Sequence, residues 1–144
     1  MRSRTDGGVG PSADSRRWLA GATVVAAVAT AGSLWFSLGL GLVPCELCWY
    51  QRILMYPLVV VLGVATLERR PGVWRTVLPL STFGTLLALY HSFLQVTSVD
   101  CGFDGACAAV QWQSPLLGLS IPNLSFLGFL LVTAAAVWLS DVGR

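Results

Sequence analysis

Residues 49–67 read WYQRILMYPLVVVLGVATL, an apolar run interrupted by a single charge, Arg52. A helix needs about 20 apolar residues to cross the hydrocarbon core of a bilayer, and this run has that length. Three other runs resemble it. Trp18–Leu40 carries no charge, Ile121–Leu139 carries none, and Val77–Val96 carries none at neutral pH, although it contains His91. At about 1.5 Å per residue, each run would be roughly 28–35 Å long as a helix. None alternates as a barrel strand does. Backbone polar groups in lipid must be satisfied within their own segment, which leaves helices. The four runs therefore predict an all-α fold, an integral membrane four-helix bundle.

Composition leads to the same class. Of 144 residues, 55% are hydrophobic and only 11% are charged, whereas an ordinary soluble domain has about 25% charged residues. A soluble domain this small buries about two-thirds of its unfolded surface, too little to hide so much apolar area. The length excludes a large multidomain enzyme. The net charge is +2, and every basic residue is Arg, with no Lys. No basic stripe offers itself to nucleic acid. Residues 1–17 are rich in Gly, Ser, Asp and Arg and predict a disordered cytoplasmic tail. Residues 18–144 form one transmembrane domain without an internal repeat. A cleaved signal peptide is the competing reading of the first run. Its length, and the lack of an A-x-A site at its far end, favour a retained helix.

Arginine sets the expected orientation. Arg2, Arg4, Arg16 and Arg17 precede the first run, Arg69, Arg70 and Arg75 lie between the second and third, and Arg144 follows the fourth. The other two connections carry acids, Glu46 in one and Asp100 and Asp104 in the other. Both termini and the middle loop are therefore expected in the cytoplasm. The first and third loops are expected outside, with Arg52 the exception among the arginines.

The four cysteines divide between those two outer loops: Cys45 and Cys48 in the first, Cys101 and Cys107 in the third. Disulfides persist in that compartment. Cys45-Glu46-Leu47-Cys48 is a C-x-x-C motif, a spacing that suits a small reducible ring or a metal. The loop is too short to rise far from the bilayer. Cys48 is expected at the N-terminal edge of the second helix, where unpaired N–H groups and the helix dipole favour a thiolate. Arg52 follows four residues later on the same helix face. It is expected to stabilise that thiolate and to hold an oxyanion on a bound electron acceptor; the alternative is a side chain that snorkels to head groups. Cys101 and Cys107 flank a Gly-containing segment. They read as a second redox pair that meets a protein partner in water, or as a staple for the loop.

His91 falls near the outer end of the third helix, at the depth expected for Arg52, so a shared acceptor site is anticipated. A hydrogen bond to a neighbouring backbone is the plainer alternative. Tyr50, Gln51, Tyr56 and the tryptophans read as interfacial anchors or bundle packing. Gly32, Gly39, Gly41 and Gly128 read as sites of close helix contact. Residues 108–119, with Trp112 and several leucines, suggest an interfacial helix on the bilayer surface.

Pro44-Cys45-Glu46-Leu47-Cys48-Trp49-Tyr50-Gln51-Arg52, continued by Ile53-Leu54-Met55-Tyr56-Pro57, resembles the disulfide bond formation protein B (DsbB) family, in particular its compact BdbC-like branch. The resemblance runs from about Trp18 through nearly the whole chain. Tyr90-His91-Ser92 also matches a histidine that the family places close to quinone. The resemblance implies a bacterial cytoplasmic membrane oxidoreductase that reoxidises a thioredoxin-fold partner of the DsbA or BdbD type. Its electrons would pass to quinone, menaquinone or ubiquinone, in support of disulfide formation in exported proteins. Carried over residue by residue, Cys101 would form the mixed disulfide with the partner and Cys107 would be its mate and exchange with Cys45. Cys48 would be the thiolate facing quinone, with Arg52 beside it. One departure is visible: Cys101 and Cys107 lie closer together than the corresponding pair of the best-known members.

Three rival readings predict different behaviour. A vitamin K epoxide reductase-like protein shares the bundle and the four cysteines, but its loop pair precedes the C-x-x-C. A non-enzymatic membrane protein with two structural disulfides leaves Arg52 unexplained. A four-thiolate metal site requires both loops to meet rigidly in an oxidising compartment, and no metal is expected. The expected topology is tested by a single cysteine introduced between Arg69 and Arg75 in a chain lacking its native thiols. In intact cells an impermeant maleimide should leave it unlabelled; labelling from outside would reverse the orientation.

Overall fold

The computed structural model describes residues 13–98 and 107–143. Four helices are long and apolar enough to cross a membrane. Helix α1 spans Ala13–Leu34 and continues into a π-helical turn, Trp35–Gly39. Helix α2 spans Glu46–Glu68, α3 spans Trp74–Thr97, and α4 spans Ile121–Val142. Among the described residues there is no strand, only an isolated bridge between Gln113 and Ser120.

The helix ends have local causes. Helix α1 begins at Ala13, inside the stretch read as tail from sequence, because Asp14 sits in its first turn, where a carboxylate complements the helix dipole. Cys45 caps α2 in an extended conformation, and its carbonyl accepts the Trp49 N–H at 3.1 Å. Arg69 ends α2 in the left-handed region (φ 55°), and the Arg70 N–H returns to the Ala65 carbonyl at 2.9 Å. Pro71 then opens a short 3-10 turn that reverses the chain into α3. Residues 107–120 form no interfacial helix. Pro115 and the left-handed Gly118 (φ 65°) fold this segment into a tight reversal, closed by the Ser114 N–H to the Leu119 carbonyl at 2.8 Å. Leu116 and Leu117 stand exposed at its tip.

The helices form a square. Helix α1 packs on α2 and α4, α3 packs on the same two, and α2 and α4 touch only slightly across the diagonal. Large apolar side chains such as Val28, Val60, Phe83 and Leu131 point outward, while Ala22, Ala26, Ala65, Ser81, Ala88, Ala135 and Ala136 are buried between helices. This is the inversion expected where the solvent is lipid and small residues let backbones approach. Threonine pairs join neighbours: Thr23 meets Thr66 across α1 and α2 at 3.0 Å, and Thr85 meets Thr133 across α3 and α4 at 3.2 Å.

Of the glycines read as helix contacts, only Gly128 serves as one, facing Ala29 and Met55 at 3.6 Å from an added Cβ. Gly39 instead seats the Trp35 ring, whose atoms lie 2.8–3.0 Å from where a Cβ would sit. Gly41 takes a left-handed turn (φ 68°). The tightest helix contact is at Gly84, where a Cβ would enter the ring of the fully buried Phe129. Gly84→Ala is therefore expected to destabilise the bundle by about 1–3 kcal/mol. Thermal unfolding in detergent checks this, and Phe129→Leu in the same chain should recover part of the loss.

Candidate redox site

The end of the bundle where α1 and α3 finish and α2 and α4 begin collects the chemistry. Cys45 and Cys48 lie one turn apart at the start of α2, with their sulfurs 3.1 Å from each other as a hydrogen-bonded dithiol. Cys107 is buried against Leu47 and Leu94, with Cys45 and Leu87 packed on the same cluster. The loop before α4 thus delivers a third sulfur-bearing residue to the C-x-x-C. Cys101, the remaining predicted site residue, lies outside the described residues.

Arg52 lies one turn below Cys48. Its Nε donates to Ser33 Oγ at 2.9 Å, and its terminal nitrogen donates to the Ser33 carbonyl at 3.1 Å and to Ser37 Oγ. Its guanidinium carbon lies 5.4 Å from the Trp49 ring centroid. The two serines come from the end of α1, on either side of the point where the helix widens into its π turn. Such turns recur at functional sites. Among the described residues, the ion pairs join Arg17 to Asp14 and Arg70 to Glu68, and no carboxylate meets Arg52. Its partners are neutral, so its charge is oriented but not cancelled.

A cavity of about 470 Å³ opens beside this arginine between α1 and α4, with α2 behind it. Val24, Val28, Ala29, Phe36, Met55, Leu124 and Leu131 give it apolar walls, and Gly32 widens it. Its polar atoms gather at the cysteine end: Ser33, Ser37, Cys48, Gln51, Arg52, Gln111 and Ser125. The volume and the sparse polar groups suit a small organic ligand. Cys48 lines this cavity; Cys45 and His91 do not. A second, much smaller cleft is lined by Cys45, Cys48, His91 and Gln95. Cys48 therefore stands on the partition between a wide apolar chamber and a narrow compartment that holds the other sulfur.

His91 is fully buried. Its Nδ1 meets Gln51 Nε2 at 3.0 Å, and its Nε2 lies 3.2 Å from the Cys107 carbonyl and 3.7 Å from Cys45 Sγ. These contacts turn the ring away from the chamber beside Arg52 and toward the cysteines. Cys45 Sγ, Cys48 Sγ and a His91 nitrogen also lie within 4.8 Å of one another, a grouping that can suggest a metal. A metal ligand needs the nitrogen lone pair. The Cys107 carbonyl can only accept a hydrogen bond, so Nε2 carries its proton on that side.

Burial and a shared proton control Cys45. Its thiol is pushed up to about 12, chiefly because its proton is donated to the Cys48 sulfur and secondarily because it is buried. Sequence reasoning passed over Ser33 and Ser37, although two serines four apart in an apolar helix are a visible signal. Gln51, expected from sequence to be an interfacial anchor or a packing residue, is buried and meets His91 Nδ1 at 3.0 Å.

A dithiol at one end of a membrane bundle, with a further cysteine packed against it and an apolar chamber behind it, defines a membrane thiol–disulfide oxidoreductase. Sequence comparison narrows the class. Residues 15–139 match the family described as disulfide bond formation protein DsbB, and the chain belongs to that family. It is 38% identical over 113 residues to disulfide bond formation protein C of Bacillus subtilis, covering 76% of this chain and 82% of that one. It is 39% identical over 137 residues to a probable disulfide formation protein of Deinococcus radiodurans, covering 87% and 88%. A probable disulfide formation protein of Oceanobacillus iheyensis is 40% identical over 114 residues, covering 76% and 79%. No solved structure matches the chain. Family and fold together make this a multi-pass membrane protein with an oxidoreductase function in disulfide formation.

The shared proton predicts an asymmetric response to alkylation. In Cys48→Ala, Cys45 loses the sulfur that holds its proton, and its thiol should fall toward the ordinary range near 8.5. Iodoacetamide labelling of the Cys45 peptide at pH 8, followed by mass spectrometry, should then quicken by about tenfold or more.

Proposed function

We propose that the chain oxidises the dithiol of a thioredoxin-fold partner outside the cytoplasm and delivers the electrons to a membrane quinone. The observation that carries this reading is Cys48 on the partition, sharing one compartment with Cys45 and the other with Arg52. A protein substrate arrives from water and a quinone arrives from lipid, so two cysteine pairs in relay serve both. The arginine distribution favours an orientation with the cysteine end outside and both termini in the cytoplasm.

Thiol–disulfide exchange begins at the loop pair. A thiolate of the reduced partner attacks the Cys101–Cys107 disulfide; a bond to the partner forms and one loop sulfur leaves as thiolate. The partner's second thiol resolves that bond, so the partner leaves oxidised and the loop pair is reduced. Cys107, already packed beside Cys45, then attacks the Cys45–Cys48 disulfide. The loop pair is reoxidised in turn, and the two electrons come to rest on Cys45 and Cys48. The two protons released by the partner's dithiol are balanced by the two taken up on the reduced Cys45 and Cys48 thiols.

The chamber fits a quinone by its size, its apolar walls and an uncancelled cation at its polar end. A quinone there would supply the two-electron, two-proton acceptor. Cys48 presents its sulfur to that chamber, Arg52 keeps a fixed positive charge available to an anionic oxygen, and Ser33 and Ser37 hold the guanidinium in place. A preorganised charge in a dry site acts more strongly than the same charge in water. The walls also exclude water from the reacting sulfur.

Purified protein in detergent, given a reduced thioredoxin-fold dithiol and a soluble quinone, is expected to consume quinone absorbance catalytically. Cys48→Ser and Cys101→Ser should each abolish turnover, and unchanged turnover in either would refute the relay. Arg52→Ala should raise the KM for quinone by about tenfold or more, the scale of one charge-assisted contact. Ser33→Ala with Ser37→Ala should raise it in the same direction by less.

A further inference from the structure

We infer that Gln51 and His91 form a positioning pair that aims a fixed N–H at the Cys45 sulfur, and that this pair serves sulfur exchange rather than quinone binding. The inference rests on the relay proposed above, and it gives that relay a device for making Cys45 a competent thiolate. Three contacts agree on one tautomer. The Cys107 carbonyl, 3.2 Å from His91 Nε2, can only accept, so the proton is on Nε2. Nδ1 is then a bare acceptor inside the bundle and requires a donor. Gln51, itself buried, supplies its amide nitrogen at 3.0 Å. The proton on Nε2 thereby also faces Cys45 Sγ at 3.7 Å.

The chemistry gives this arrangement a purpose. Cys45 carries negative charge twice in the relay. It does so when an inter-loop bond to Cys107 is broken and Cys45 leaves, and again when Cys45 closes the bond to Cys48. In the first event the Cys107–Cys45 bond breaks as the Cys101–Cys107 bond forms, and the negative charge moves from Cys101 to Cys45; in the second the Cys45–Cys48 bond forms and its two electrons go to the quinone acceptor. His91 neither takes nor gives a proton. Its N–H shifts weight from the Cys107 carbonyl to the Cys45 sulfur while that sulfur is charged, and charge-assisted hydrogen bonds are the stronger kind. Among the described residues, the groups facing Cys45 are Cys48 from α2, His91 from α3 and Cys107 from the loop before α4; the neighbouring Glu46 carboxylate turns aside to accept from Tyr50 Oη at 3.2 Å.

The test compares His91→Gln with His91→Asn. The amide nitrogen of Gln reaches the position of Nε2, and that of Asn reaches only the position of Nδ1. In a chain whose sole cysteine is Cys45, the pH dependence of its alkylation reports its thiol directly. His91→Asn and Gln51→Leu should each raise that apparent pKa by about one unit, and His91→Gln should restore it. With all four cysteines present, His91→Asn should lower kcat while leaving the KM for quinone within about twofold. An unmoved Cys45 titration, or a His91→Gln chain indistinguishable from His91→Asn, would overturn the inference. A raised quinone KM with an unmoved titration would return His91 to the quinone site. A chain that reduces no quinone at all would instead sink the relay, while the titration would still report on the pair.

Discussion

The structure is organised around one positive charge that meets no negative partner among the described residues. Arg52 sits within the apolar part of the bundle, where an isolated cation is costly. Its hydrogen bonds go to Ser33, the Ser33 carbonyl and Ser37, all neutral. A carboxylate there would have stabilised the arginine and cancelled its field. Neutral oxygens fix its direction and leave the field directed into the chamber. The widened turn at Trp35–Gly39, the placement of two serines around it and the entry of α2 at Cys45 all serve that arrangement.

The second organising feature is a division of space. The chamber between α1 and α4 is wide, apolar and bounded by Arg52; the cleft toward α3 is narrow and holds His91 and Gln95. Cys48 belongs to both, and Cys45 to the narrow one alone. The two sulfurs of one C-x-x-C are thereby given different neighbours. The asymmetry extends to their protons: Cys45 donates to Cys48, and burial reinforces the hold on that proton. A redox pair with chemically distinct ends can face an electron acceptor on one side and exchange with protein sulfur on the other.

Much of this was legible in the sequence. Four long apolar runs, three uncharged and one carrying only Arg52, set the number of helices, because hydrocarbon leaves no other structure for them. The C-x-x-C followed by Arg52 at four residues gave the shared helix face. What sequence could not give was direction across the bundle. His91 and Arg52 are at similar depth along their helices, yet the ring faces Gln51 and Cys107 while the arginine faces Ser33 and Ser37. Depth follows from counting residues; facing depends on how α3 is rotated against α2, which Gly84 and Phe129 help to set from the far side. The loop before α4 departs from its expected form for a related reason. Its leucines suggested an amphipathic helix, but Pro115 and Gly118 impose a reversal. Gly39 looked like a helix contact and instead accommodates a folded-back Trp35 ring.

The central claim is that electrons leave through the Cys48 sulfur into the chamber beside Arg52, without help from the loop cysteines. A single-turnover measurement isolates that step. A chain carrying Cys101→Ala and Cys107→Ala is reduced, freed of reductant and mixed with excess quinone. The account predicts that one quinone is reduced per chain and that Cys45 and Cys48 are recovered as a disulfide. Thiols that stay reduced in contact with quinone, or that oxidise only when Cys101 and Cys107 are present, would contradict it.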